Sequence, residues 1–243
     1  MAASVAGTGL TERNDSLFAI DLLRPGDLFV DVGANIGFYT LIAARRGAQV
    51  EAFEPTDEAA GYCERSLTLN RLHATVHRVA CGAEAGTTKF TTGLDIANHI
   101  TSGPGIDVTV VTLDQELTGA EPTLAMFKVD AEGNDLDVLR GAMGIIQRLK
   151  PVILVEIWLG GERALGLVQP HGYRSYLYDP ESRSLREIPT GSQSGQNMLL
   201  IADSRLTMVR ERVSDAKRPA LRPPRVSWLY HTDLASHWSS AST

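Results

Sequence analysis

The sequence predicts an α/β fold with a mostly parallel sheet and helices on both of its faces. Two observations carry this prediction. Short apolar runs, which are typical of buried strands, alternate along the chain with segments of helical periodicity. The first of these runs also enters a glycine-containing turn that leads directly into a helical segment. Strands and helices that alternate in this way form βαβ units, which place successive strands parallel to one another.

The elements are predicted in the following order along the chain. Strands are predicted over residues 27–32, 49–53, 76–81, 87–91, 107–112, 124–129, 151–157, 172–178 and 198–202. Helices are predicted over residues 15–23, 38–46, 57–72 and 136–147, with Leu67 and Leu69 facing the core. Loops are predicted over residues 93–105 and between the last two strands. Ligands of such sheets bind at the carboxyl ends of the strands, so candidate site residues are sought there.

Composition and charge limit the classes of function. The chain has 243 residues, 43% of them hydrophobic, which suffices for one α/β domain. The net charge of −6 disfavours a nucleic-acid partner, because an acidic surface repels phosphates. Cys63 and Cys81 have no disulfide or zinc spacing. No apolar run reaches the length of a membrane helix and residues 1–13 lack a signal-peptide core, so we predict no membrane span and a cytoplasmic location.

We predict three parts of the chain. Residues 1–22 form a lead-in, residues 23–203 form the domain, and residues 204–243 form an extension rich in Arg, Pro and Ser. Three prolines between residues 217 and 225 exclude a regular helix there, so an extended tail is predicted. The sequence leaves the oligomeric state open, including a homodimer.

The turn after the first strand reads Asp31-Val32-Gly33-Ala34-Asn35-Ile36-Gly37. It lacks the Gly-x-Gly-x-x-Gly spacing of a pyrophosphate-binding turn. A carboxylate at Asp31 is unfavourable beside a pyrophosphate, but it can accept hydrogen bonds from a cationic ligand such as the amino group of S-adenosylmethionine. We therefore predict an S-adenosylmethionine site at this turn. Its predicted binding residues are Asp31, Gly33, Asn35, Gly37, Phe38 and Thr40.

Glu54 ends the second predicted strand and extends this site. A carboxylate at that position can accept hydrogen bonds from both ribose hydroxyls. Its spacing from the first turn suits either S-adenosylmethionine or a dinucleotide. Pro55 follows it, and Ala80, near the end of the third strand, is expected close to the adenine through its backbone.

Taken together, these segments resemble the FkbM family of methyltransferases. The resemblance covers residues 23–202, and its most specific part is Lys128-Val129-Asp130-Ala131-Glu132-Gly133. Further matching segments are residues 31–40, 53–55, 79–80, 112–114, 139–142, 155–156 and 197–199, together with Asn70. The resemblance implies a class I, Rossmann-like methyltransferase fold with a seven-stranded sheet whose last strand is antiparallel. It also implies methyl transfer from S-adenosylmethionine to a hydroxyl of a natural product, sugar or glycolipid.

The fourth parallel strand of that fold ends beside the transferred methyl group, which places Asp130 at the reaction centre. An alcohol acceptor must lose its proton, so a base is expected nearby. Asp130 is the first candidate for the base or for an anchor of the acceptor hydroxyl, and it also counts as a cofactor-binding residue. Glu156 is the second candidate base and His99 the third.

Other acidic and aromatic residues near that strand end have alternative roles. Helix capping is the expected role of Asp135. Asp130, Glu156 and a further oxygen ligand could bind Mg²⁺, although no dense ligand motif indicates a metal. Trp158 suits an acceptor pocket or the core equally well. The absence of an Asn/Asp-Pro-Pro-aromatic segment at this position favours an oxygen acceptor over a nucleobase nitrogen.

Three alternative functions stay open. The first is a non-catalytic S-adenosylmethionine-binding protein on the same fold. The second is an RNA methyltransferase, for which the arginines of residues 205–225 are the only support. The third is an NAD-dependent oxidoreductase. The sequence disfavours it, because both the Gly-x-Gly-x-x-Gly spacing and a Tyr-x-x-x-Lys pair are missing.

Overall fold

The computed structural model describes residues 12–91, 99–101, 103–119, 124–156, 161–189 and 197–218. Its strands are β1 (Leu28–Val32), β2 (Gln49–Phe53), β3 (Thr75–His77), β4 (Ala80–Cys81), β5 (Gly86–Phe90), β6 (Ile100–Thr101), β7 (Ile106–Val111), β8 (Leu124–Val129), β9 (Val152–Glu156), β10 (Tyr173–Asp179), β11 (Ser184–Glu187) and β12 (Asn197–Ala202). Within the described residues these strands form two sheets.

The main sheet has the strand order β11-β10-β12-β9-β8-β1-β2-β3. Strands β3, β2, β1, β8 and β9 are parallel. The last strand, β12, lies antiparallel between β9 and β10. The predicted fold class and its antiparallel last strand are therefore confirmed, whereas the described sheet has eight strands rather than seven. The additional strand is β11, which forms a hairpin with β10 in a segment for which a turn or loop is predicted.

Helices cover both faces of this sheet. They are α1 (Arg13–Leu22), α2 (Phe38–Arg45), α3 (Asp57–Asn70), α4 (Leu113–Glu116), α5 (Asp135–Arg140), α6 (Met143–Leu149), α7 (Gly161–Val168) and α8 (Asp203–Ser214), with a 3₁₀ turn at Gln169–His171. Alternate residues of β1 point to opposite faces, so Phe29 packs with α1, α2 and α8 while Val30 packs with α5, α6 and α7. No helix in the described part of the chain is long and apolar enough to cross a membrane.

A second, smaller sheet has the order β4-β7-β5-β6. The single strand predicted over residues 76–81 is divided between the two sheets, because the chain leaves the main sheet after His77 and pairs Ala80 and Cys81 with Val110 and Val111. The predicted loop over residues 93–105 contains strand β6. This sheet carries its own apolar cluster and stands beside the carboxyl ends of the main strands.

Two further helix predictions need correction. Leu69 does not face the core, since it is 57% exposed, whereas Leu67 is buried. The helix predicted over residues 136–147 is broken after Arg140, where Gly141 lies against the backbone of Gly82. A Cβ built on Gly141 would be 2.0 Å from the Gly82 carbonyl oxygen. The second half begins anew as α6, whose first amide groups, of Gly144 and Ile145, donate to the Asp114 carboxylate at 2.8 Å.

Helix α8 packs on the domain although it begins at the predicted domain boundary. Its residues Val209 and Val213 are fully buried among the residues of α1. The Arg212 guanidinium also bonds Asp27 at 2.6 Å. The predicted tail is described only as far as residue 218, and residues 219–243 lie outside the described ranges. The division of the chain into three parts stays a prediction.

Candidate active site

The carboxyl ends of β1, β2, β4 and β8 border one cleft. Its empty volume is about 770 Å³, a value that includes the mouth open to solvent. The lining residues come from both sheets: Val32, Gly33, Asn35, Phe53, Glu54, Pro55, Thr56, Ala59, Val79, Ala80, Cys81, Phe90, Ile100, Asp130, Ala131, Glu132 and Asn134. Six of the predicted cofactor-binding residues are among them, namely Gly33, Asn35, Glu54, Pro55, Ala80 and Asp130.

The glycine turn after β1 is held directly against the end of β8. The amide groups of Gly33 and Ala34 both donate to the Phe53 carbonyl, at 3.0 and 3.1 Å. Gly33 has a φ of +72°, and a Cβ built on it would lie 1.8 Å from the carbonyl oxygen of Asp130. Only glycine satisfies both the left-handed backbone and this approach. The turn therefore brings the first motif and the acidic motif into contact.

Glu54 is oriented into the cleft by hydrogen bonds from its surroundings. Its Oε2 accepts from the Asn35 amide at 3.0 Å, and its Oε1 accepts from the Thr56 amide at 2.9 Å and from the Thr56 hydroxyl at 2.7 Å. A carboxylate offers about four lone-pair positions, so about one stays open, on Oε2. The predicted contact with both ribose hydroxyls thus requires the Thr56 hydroxyl to give up its bond. Thr56 was not predicted as a site residue.

Four other predicted cofactor-binding residues do not line the described cleft. Asp31 is 1% exposed and accepts a hydrogen bond from the Thr40 hydroxyl at 2.6 Å. Gly37 lies against Cys63, where a Cβ would be 2.5 Å from the sulfur, and Phe38 packs edge-on against the Tyr39 ring. Burial raises the pKa of Asp31, and Lys128 and Thr40 act against that shift.

A buried ion pair lies at the end of β8. The ammonium of Lys128 is 2.6 Å from Oδ2 of Asp130, and their side chains are 5% and 27% exposed. Burial alone would raise the pKa of the Asp130 carboxyl, but the Lys128 charge and its hydrogen bond outweigh burial and lower that pKa. Asp130 is therefore an ionised carboxylate at neutral pH.

The Glu156 carboxyl, at the end of β9, has an oxygen within 4.8 Å of an oxygen of that carboxylate. Burial, followed by the negative charge of Asp130, raises the pKa of Glu156 to about 8. Two neighbouring carboxyl groups thus have opposite tendencies, one to stay ionised and one to hold a proton. Such a pair can exchange a proton near neutral pH.

Glu132 joins this pair to form the acidic cluster. One carboxylate oxygen from each of Asp130, Glu132 and Glu156 lies within 4.8 Å of the other two. Three carboxylates are a donor set that Mg²⁺ accepts, and Glu132 supplies the third oxygen that the sequence did not identify. Within this cluster, the Lys128 ammonium is paired with Asp130.

Three further residues that the sequence singled out do not line the cleft in the described part of the chain. The Thr91 amide donates to the His99 carbonyl and the His99 amide donates to the Thr91 hydroxyl, both at 2.9 Å. The His99 ring acts electrostatically on Glu132, but His99 does not line the cleft. Asp135 accepts from the Ala131 amide at 2.8 Å and thereby fixes the turn after β8, in place of the predicted helix cap. Trp158 lies outside the described residues.

The order of the main sheet, the glycine turn after β1 and the acid after β2 define a class I methyltransferase-like α/β fold. The Methyltransferase FkbM domain matches residues 31–179 of the chain, more than half of its length. The protein therefore belongs to the FkbM methyltransferase family, as the sequence resemblance indicates.

Curated relatives support this assignment. Over 141 residues, 55% of this chain and 57% of the relative, the chain is 33% identical to the hexuronic acid methyltransferase AglP of Haloferax volcanii. It is also 38% identical to the 31-O-demethyl-FK506 methyltransferase FkbM of Streptomyces tacrolimicus over 71 residues. That match covers 28% of this chain and 27% of the relative. The matches thus span about half of the first relative and about a quarter of the second.

A solved structure shares the fold. The methyltransferase FkbM from Methylobacillus flagellatus superposes with a TM-score of 0.51 and 18% identity. The superposition covers 72% of this chain and 43% of that one. At this identity the likeness supports the fold and carries no conclusion about the substrate.

Proposed function

We propose that the protein is an S-adenosylmethionine-dependent O-methyltransferase that acts on a hydroxyl of a small molecule, such as a secondary metabolite, a sugar or a glycolipid. One observation carries the proposal. Glu54, which keeps one lone-pair position for a ligand hydroxyl, and Asp130, which lies in the acidic cluster with Glu156, line the same cleft. A ribose-bearing donor and a hydroxyl acceptor need these two groups within one site.

The cleft suits the chemical parts of S-adenosylmethionine. The free lone pair of Glu54 accepts a ribose hydroxyl. Apolar residues of the smaller sheet and of the segment before it provide a surface for the adenine ring: Val79, Ala80, Cys81, Phe90 and Ile100. The acidic end of the cleft, at Asp130 and Glu132, favours the cationic sulfonium.

The reaction is an in-line displacement. The acceptor oxygen attacks the methyl carbon, the new C–O bond forms as the C–S bond breaks, and the electron pair of the broken bond stays on sulfur. The acceptor proton passes to Glu156 in the fraction of molecules in which that carboxyl is ionised, since its pKa of about 8 lies closer to neutral pH than the lowered pKa of Asp130. Asp130 then serves as the anchor of the acceptor hydroxyl.

Glu54→Gln is expected to weaken S-adenosylmethionine binding about 10- to 100-fold, which corresponds to the roughly 1.5–3 kcal/mol of a hydrogen bond to a charged group. Glutamine also turns an amide donor toward groups that already donate to Glu54, the amides of Asn35 and Thr56. Isothermal titration calorimetry measures the change. Glu51→Gln is the matched control on the same strand, since Glu51 bonds His77 outside the cleft. Equal affinity of both variants would remove Glu54 from the site.

Methyl transfer itself is tested with S-adenosylmethionine labelled in its methyl group. The full chain is incubated with a panel of sugars, hydroxylated polyketides and glycolipids, together with amine and carboxylate analogues. We expect label in an alkali-stable ether of a hydroxyl compound. Label only in an amine or in an alkali-labile ester would contradict an oxygen acceptor of the hydroxyl type. Tight cofactor binding without transfer to any acceptor would favour the non-catalytic alternative.

A further inference from the structure

Asn134 lines the cleft but takes no part in the proposed reaction. It follows the acidic motif and precedes α5 as the N-cap residue of that helix. Asparagine is favoured at such a position because its side-chain oxygen can accept from a free amide of the first helical turn. The Asn134 side chain, however, makes no capping bond to α5. Helix capping therefore does not explain what this side chain does.

The Asn134 side chain reaches the smaller sheet instead. Its Nδ2 donates to the backbone carbonyl of Cys81 at 3.1 Å. A carbonyl oxygen only accepts hydrogen bonds, so the amide nitrogen has to face Cys81 and the orientation of the amide group is defined. Oδ1 accepts no hydrogen bond from another described residue, and one N–H of the amide is left over as well. Among the described residues every fully buried side-chain oxygen has a partner, so the unbonded Oδ1 is accessible rather than buried.

The surroundings of this amide are apolar and suit a flat ring. Asn134 shares the cleft wall with the residues of the surface assigned to adenine, which are Val79, Ala80, Cys81, Phe90 and Ile100. Other polar groups of the cleft are bonded elsewhere, since Glu54 holds Thr56 at the end of β2 and Asp130 is paired with Lys128. Asn134 is tied to the apolar surface itself through Cys81. A ring that lies on this surface therefore has an amide acceptor and an amide donor at its edge.

We propose that Asn134 is the residue that recognises the base of the bound donor, with Oδ1 accepting a hydrogen bond from the 6-amino group of adenine. This assignment rests on the proposed function, because it requires the adenine ring to lie on the surface beside Cys81. In nucleic-acid recognition asparagine pairs with adenine through the same groups, its oxygen accepting from the 6-amino group and its N–H donating to the adjacent ring nitrogen. A 6-oxo purine such as hypoxanthine carries an oxygen at that position, which cannot donate to Oδ1. Asn134 therefore selects adenine over hypoxanthine.

The proposal is tested by calorimetric titration of the full chain with S-adenosylhomocysteine and with S-inosylhomocysteine, which carries hypoxanthine in place of adenine. We expect the wild type to bind the adenine compound at least about 10-fold more tightly, because a site that hydrogen-bonds a ligand group rejects the analogue without it. In Asn134→Ala we expect the ratio of the two affinities to fall to about 2 or less. Asn134→Asp keeps an acceptor oxygen and should retain the preference for adenine.

Asn70→Ala is the matched control for Asn134→Ala. The Asn70 side chain also donates to a backbone carbonyl, that of Ser66 at 2.8 Å, but Asn70 does not line the cleft. The control therefore loses the same kind of bond without losing a group that faces the ligand. We expect its affinity ratio to equal that of the wild type.

Equal affinity of the wild type for the two compounds, or an unchanged ratio in Asn134→Ala, would overturn the proposal. A purely structural role of the bond to Cys81 would weaken both compounds alike and leave their ratio unchanged. If Asn134→Ala does not fold, Asn134→Leu gives the same comparison, because leucine is close to asparagine in shape but offers no hydrogen bond. Binding of both compounds without preference would leave the proposed donor in place. Binding of neither would refute the proposed function together with this proposal.

Discussion

Gly33→Ala is expected to abolish S-adenosylmethionine binding and to lower the free energy of unfolding by about 2–5 kcal/mol. The new Cβ would lie 1.8 Å from the backbone carbonyl oxygen of Asp130, which cannot move without shifting β8. The positive φ adds about 1–2 kcal/mol of backbone strain to about 1–3 kcal/mol of overpacking. Relief of the clash separates the turn from Asp130 and opens the cleft between them. Chemical denaturation and titration calorimetry measure the two effects.

Gly26→Ala is the matched control for this substitution. Gly26 has a φ of +86°, but no atom lies within 4 Å of a Cβ built there. The control therefore carries the backbone strain without the clash, and we expect a loss of about 1–2 kcal/mol with unchanged cofactor affinity. Equal destabilisation by the two variants would show that the contact between the turn and Asp130 has no special role.

Arg218→Met is expected to lower the free energy of unfolding by about 3–5 kcal/mol, the usual cost of removing one partner from a buried ion pair. The Arg218 guanidinium lies 2.6 Å from Oδ2 of Asp21, a fully buried carboxylate on α1. It also donates to the Pro180 carbonyl at 2.7 Å. The Tyr178 hydroxyl stays as a neutral donor to Asp21 at 2.5 Å, so the carboxylate loses its cation rather than every partner.

The exposed ion pair of the same helix provides the comparison. Arg13 bonds Glu181 at 2.8 Å, with side chains that are 44% and 75% exposed. Arg13→Met should therefore cost about 0–1 kcal/mol in the same denaturation experiment. A loss below about 1 kcal/mol for Arg218→Met would show that residues 215–218 do not secure α1 to the domain.

The order of strands and helices could be predicted because it depends on local patterns. Buried strands such as β1 and β8 are mostly apolar, and the glycine turn marks the start of a βαβ unit. Strand β11 could not be predicted, because it is the edge strand of the β10 hairpin and its residues are mostly exposed, which leaves no apolar pattern. The break at Gly141 depends on a contact with Gly82, which lies far away in sequence. Long-range contacts of this kind have no local pattern.

The site was predictable where a residue's role follows from its position at a strand end. Gly33, Glu54 and Asp130 line the cleft as their positions at the ends of β1, β2 and β8 indicate. Asp31 lies within β1, one residue before its end, and its buried side chain accepts a hydrogen bond from the Thr40 hydroxyl. Lys128 was overlooked as a site residue although its separation of two residues from Asp130 could have predicted their pairing.

The binding of S-adenosylmethionine to the cleft is tested most directly by calorimetric titration of the full chain with S-adenosylmethionine and S-adenosylhomocysteine. We expect both ligands to bind at a ratio of one to one. The affinity should be retained in Gly26→Ala, reduced about 10-fold or more in Glu54→Gln and lost in Gly33→Ala. Absence of binding at high micromolar concentrations of either ligand, or equal binding by all three variants, would contradict the assignment of the cleft to this donor.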